Sequence, residues 1–147
     1  MNKVIVGAAL ACLALASDDP RDYDGRTAPA TLEGTWVVKA VEVDGQPSPP
    51  AEFQGSKLIV KGERLTLIDR GAPEEMTFRT DPGRRPAHLD LTMLDGLRKG
   101  KTLQLIYSLE GDTLKLGVTP GSDTRPVEFR TGKGSLMRVI TLQRESR

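Results

Sequence analysis

The feature that most limits what this chain can fold into is a repeated two-residue alternation of apolar and polar side chains. Ala87–Met93 shows it most cleanly: Leu89, Leu91 and Met93 alternate with His88, Asp90 and Thr92. Successive side chains of a strand point to opposite faces, so such a segment offers one face to a core and one to water. The alternation recurs in Lys57–Lys61, in residues 64–69, 76–80 and 102–109, and in Thr113–Val118. Gly34–Val43 is rich in β-branched residues and ends at Asp44-Gly45, a pair favoured in tight hairpin turns. Residues 126–130 read as a short edge-like segment and residues 135–142 as the last strand. Residues 46–53, with three prolines, read as a loop. No long stretch carries the apolar period of an amphipathic helix. About eight strands in sequential hairpins predict an all-β fold, an antiparallel up-and-down sheet closed into a barrel. Closure removes the edges that so long a sheet would expose. A two-sheet β-sandwich is the alternative for the same pattern.

The first residues follow a different rule. Asn2-Lys3 forms a short positive start, and residues 4–15 are apolar and uncharged. Ala14-Leu15-Ala16 supplies the small residues a signal peptidase needs, and Ser17-Asp18-Asp19-Pro20 cannot continue an apolar helix. The run is shorter than the roughly 20 residues that span a bilayer. Residues 1–16 therefore read as a signal peptide, residues 17–31 as a flexible linker, and residues 32–144 as the domain. The expected destination is the periplasm or the extracellular space. Ala9-Leu10-Ala11-Cys12 loosely resembles a lipobox, which makes a lipid anchor on Cys12 the alternative. Ala9 in place of Leu, and an apolar run that continues past Cys12, favour cleavage after Ala16. That cleavage removes the chain's only Cys, and with it thiolate and disulfide chemistry.

Charge and residue types narrow the function classes. Lys and Arg number 21 and Asp and Glu 20, and loss of Lys3 with the leader brings them into balance. A neutral domain has no net field to attract nucleic acid. The single His88 and Asp90 provide two potential metal ligands on one strand face, fewer than a stable zinc site uses. No Gly-x-Ser-x-Gly elbow is present. The carboxylate pairs Glu74/Glu75 and Glu110/Asp112 fall near turns, where acids are normally solvated, and so does the basic stretch Gly-Leu-Arg-Lys-Gly-Lys at residues 96–101. The expectation is a protein that is not an enzyme and holds no metal or cofactor.

Five motifs in order carry a family resemblance. Leu32-Glu33-Gly34-Thr35-Trp36 looks like the Gly-x-Trp signature that opens the first strand of lipocalin-like barrels. Pro86-Ala87-His88-Leu89-Asp90 follows, then Lys99-Gly100 before a strand. Ile106-Tyr107 with Gly111-Asp112-Thr113-Leu114-Lys115-Leu116, and Arg125-Pro126-Val127-Glu128-Phe129, complete the set. Over residues 32–144 these motifs resemble an uncharacterised lipocalin-like domain family of secreted proteins, largely from planctomycetes. Two positions depart from it: His88 stands where Lys is more frequent, and Gly117 where Cys is common. The resemblance implies a lipocalin-like barrel and export, with no activity to carry over.

The same residues have structural readings. Trp36 would close the narrow end of the barrel under a late-strand arginine, Arg138 or Arg144. Gly34 would allow close approach beside the ring, and Gly111 a positive φ. Asp112 would bond its turn's amides, and Pro86 and Pro126 would mark strand starts. Asp90, Arg125 and Phe129 join this structural set through the motifs. The functional expectation is an exported barrel binding a small apolar ligand inside, against Trp36, Phe78, Leu89, Leu91, Leu103, Leu105, Tyr107 and Leu116. The alternative is a filled barrel whose loops, residues 81–86 and 95–101, contact another protein or a surface polymer.

Overall fold

The computed structural model describes residues 32–145; the leader, linker and Cys12 read from the sequence lie outside the described residues. Among these residues nine strands occur in chain order: β1 (Gly34–Val43), β2 (Gln46–Pro47), β3 (Lys57–Lys61), β4 (Arg64–Ile68), β5 (Glu74–Asp81), β6 (Ala87–Met93), β7 (Thr102–Glu110), β8 (Thr113–Val118) and β9 (Arg138–Arg144). Asp44 and Gly45 both have positive φ, 56° and 74°, so the chain reverses in the tight turn that their dipeptide favours. The β2 segment is only a two-residue flap on β1. β3 pairs antiparallel with β1, each strand from β3 to β8 pairs antiparallel with the next in sequence, and β9 pairs with β1 from Trp36↔Arg144 to Val43↔Arg138. Eight strands thus close into an up-and-down barrel. The sandwich alternative is not formed, because the β1–β9 ladder makes one continuous ring.

The alternation in the sequence sets the inside. Leu58 and Val60 of β3, Leu65 of β4, Met76 of β5 and Leu89, Leu91 and Met93 of β6 are buried in one core with Leu105, Tyr107, Leu114 and Leu116. Each fully buried aliphatic side chain contributes about 1.5–3 kcal/mol. Trp36 is completely buried, and its indole Nε1 donates to the Leu32 carbonyl at 3.0 Å.

The last connection differs from expectation. Residues 126–130 form no strand, and β9 starts at Arg138 instead of near Ser135. The physical reason is that a closed ring has no free edge for another strand. Residues 119–137 instead cross the outside of the barrel. Ile106, Gly117 and Val139 form one cross-strand row on the outer face. Met137 and Phe129 cover that row in a second small apolar cluster. Gly117 is required by this contact, since a Cβ there would stand 2.8 Å from Ile106 Cγ1 and 2.9 Å from Met137 Cε. Two polar ties fix the crossing. Arg125 donates to the Leu105 carbonyl at 2.8 Å and pairs with Asp90 at 2.7 Å. Thr131, buried, donates to Glu42 at 2.6 Å and accepts from the Gly45 amide at 2.8 Å.

Candidate functional site at the open end of the barrel

The two ends of the barrel are built differently. At one end the chain enters β1, and the turns at Gly62-Glu63 and Gly111-Asp112 lie beside it. Arg144 covers Trp36 there, with its guanidinium carbon 4.3 Å from the ring centroid. Arg144 also donates from Nε to Asp112 at 2.9 Å and from its guanidinium to the Glu33 carbonyl. Among the described residues the Asp112 carboxylate bonds Arg144 of β9 and no amide of its own turn. Gly34 adopts φ 129°, and a Cβ would stand 3.0 Å from the Arg144 guanidinium. Gly111 has φ 61°, and Pro86 directly precedes β6, whereas no strand begins at Pro126.

The expected ligand-contacting residues lie in the packed part of the interior. Trp36, Leu89, Leu91, Leu105, Tyr107 and Leu116 are buried in the main core, and Phe78 and Leu103 pack against it partly exposed. None of these side chains lines the cavity at the opposite end.

That end carries the β1–β2 turn, the connection from β2 to β3, the start of the β4–β5 loop and the beginning of β9. A cavity of about 440 Å³ opens there. It falls in the range of about 300–1,000 Å³ typical of small-molecule sites. Its apolar wall comes from Val38, Val41 and Val43 of β1, Leu67 of β4, Ile140 of β9 and Phe53. A bulge explains why three valines of β1 share this wall. Val38 pairs with Leu142 but Ala40 pairs with Thr141, so Lys39 is an extra residue in the ladder. One inserted residue reverses the alternation, and Val41 and Val43 join Trp36 and Val38 on the inner side.

The polar groups of the cavity are Ser48, Glu52, Ser56, Asp69 and Arg138. The proline-rich loop that holds the first three is ordered by bonds within it and by bonds from its backbone to β1 and to Arg70. Pro50–Glu52 form one 3-10 turn, Ser48 N donates to Val41 O at 2.7 Å, and Arg70 donates to the Ala51 carbonyl at 2.8 Å. Ser56 is buried and locked: its amide donates to Phe53 O at 3.0 Å and its carbonyl accepts from Val38 N at 3.1 Å. Its hydroxyl donates to Asp69 Oδ1 at 2.8 Å. Among the described residues, Asp69, Glu52 and Arg138 form no ion pair within 4.0 Å.

The sequence reading missed this wall because it took Gly34–Val43 as a β-branched strand without assigning its residues to faces. The signal was present: in Val37-Val38-Lys39-Ala40-Val41-Glu42-Val43 the apolar parity changes across Lys39-Ala40. The loop residues had no comparable signal, since their place over the mouth depends on tertiary packing.

The other sites considered from the sequence are dispersed. Glu74 and Glu75 lie on opposite faces of β5, the first 3.5 Å from Arg98 and the second 3.7 Å from Arg64. His88 faces outward, half-buried, opposite Ile106. Among the described residues no three His, Cys, Asp or Glu side chains converge on a potential metal position. No helix of the described residues is long and apolar enough to cross a membrane. No protein-family model, curated protein or solved structure matches the chain.

Proposed function

We propose that this protein is an exported, non-enzymatic, lipocalin-like barrel that binds a small, mainly apolar molecule in the open end. The single observation that carries the binding reading is the cavity of about 440 Å³ with its valine, leucine, isoleucine and phenylalanine wall. Such a wall favours apolar ligands through the area it removes from water. Export rests on the leader residues 1–16, and the family assignment on the ordered motifs. Native mass spectrometry of protein purified from its own host tests the binding reading. A bound mass released by denaturation is expected, and its absence in Val41→Trp protein would place it in the cavity. A bound mass that persists in that variant would place it elsewhere, and no bound mass with no small-molecule affinity would overturn the reading.

A second reading has one observation in its favour. Leu97 is fully exposed at the tip of the 95–101 turn, beside Arg98 and Lys99. An interaction module would use such a tip, and Leu97→Ser together with Arg98→Ala would then abolish a defined complex. A complex that survives both changes would exclude that turn as the contact.

A further inference from the structure

The polar groups of the open end are unevenly placed, and their placement bears on which small molecules fit. This rests on the reading of the cavity as a small-molecule site. Most of the wall is hydrocarbon, yet one carboxylate on it is deliberately oriented. The Ser56 backbone is held in place, its amide and carbonyl engaged by Phe53 and Val38. From that fixed position its hydroxyl donates to Asp69 Oδ1 at 2.8 Å. Among the described residues the second oxygen, Oδ2, has no hydrogen-bond partner. Glu52 adds a second acid at the same mouth, also without an ion pair among the described residues. The one cation of the lining, Arg138, stands on β9, separated from β4 by β1 and β3 in the ring.

Asp69 is exposed at the rim of the cavity, so its carboxylate can meet a cationic head from solvent while the apolar wall takes the body. Ionised donors and acceptors also form the stronger class of hydrogen bond. We infer that the cavity selects molecules with a cationic amine head and an apolar body, with Asp69 binding the head and Ser56 positioning the Asp69 carboxylate. The body lies against Val38, Val41, Leu67 and Ile140, and Glu52 adds charge at the mouth. Neutral molecules of the same shape keep the apolar contact and lose the charge-assisted bond.

Titration calorimetry with n-hexylamine, hexan-1-ol and hexanoate on the purified protein tests the inference. Hexylamine is expected to bind about tenfold more tightly than hexanol, with hexanoate weakest. Asp69→Asn should weaken hexylamine about tenfold and leave hexanol within about twofold. Ser56→Ala should weaken hexylamine about threefold without a matching loss for hexanol, which a merely structural role would not produce. Equal affinity for amine and alcohol, or an Asp69→Asn variant with unchanged amine affinity, would overturn the head-group assignment while the cavity reading stands. Hexanoate binding tightest, and lost in Arg138→Gln, would overturn it by moving the polar head to the opposite wall. If none of the three probes binds, the cavity reading itself fails, and the head-group assignment with it.

Discussion

The guanidinium of Arg144 lies over the ring of Trp36, its central carbon 4.3 Å from the ring centroid. The two residues are also cross-strand partners in the β1–β9 ladder that closes the barrel. One contact therefore covers Trp36 at this end of the barrel and joins the first strand to the last. Trp36→Ala should destabilise the fold by about 3–5 kcal/mol, as expected for a large core side chain. Arg144→Ala should cost about 1–2 kcal/mol through the lost ring contact. A double-mutant cycle followed by urea unfolding checks this, and a coupling near zero would show that the two act independently.

Gly117 should tolerate no side chain. Gly117→Ala places a methyl under Met137 and against Ile106, at a cost of about 1–3 kcal/mol. Gly117→Ala should cost less in a Met137→Ala background than in the native chain, because one of the two clashes is with the end of the methionine. Full tolerance of Ala in thermal unfolding would mean that residues 119–137 do not pack there.

Arg125 and Asp90 tie the crossing segment to β6 and β7. The arginine side chain is 17% exposed and the aspartate 36%, so solvent screens the pair only partly. Arg125→Met should cost more than Asp90→Asn, about 2 against 1 kcal/mol, because it strands a carboxylate whose Oδ1 is buried. Equal costs in denaturant unfolding would contradict that asymmetry.

Thr131 links the crossing segment to the β1–β2 hairpin through Glu42 and the Gly45 amide. Thr131→Val preserves shape and removes both bonds, a loss of about 1–2 kcal/mol. The Gly45 amide should then exchange with solvent markedly faster, as hydrogen-exchange mass spectrometry would record.

Tyr107 makes stability depend on alkaline pH. Burial pushes its phenol above the usual range, against a hydrogen bond from Thr80 that lowers it and with the Asp81 charge that raises it. Below about pH 10 the phenol is neutral in folded and unfolded chains alike. Above that pH the unfolded chain loses its proton first, so stability falls as the pH rises towards the folded titration. Tyr107→Phe should flatten this part of the stability curve, and an identical slope in both proteins would refute the assignment.

By itself the sequence determined most of the barrel. Ala87–Met93 and Thr113–Val118 are strands with the inner faces that their alternation predicts, and Asp44-Gly45 turns the chain where expected. These features are local: side-chain parity and turn conformation depend on a few neighbouring residues. Tertiary structure decided which of Arg138 and Arg144 covers Trp36, because that choice depends on the register of β9 against β1. It also decided the site. Leu89, Leu105 and Tyr107, apolar in sequence, fill the barrel, whereas the cavity belongs to Val41, Val43, Ser56 and Asp69. The extra residue at Lys39 and a loop folded over the mouth bring that set together. Both depend on pairings between distant segments, and a pattern of apolar residues records which face a side chain takes but not whether its neighbours leave space.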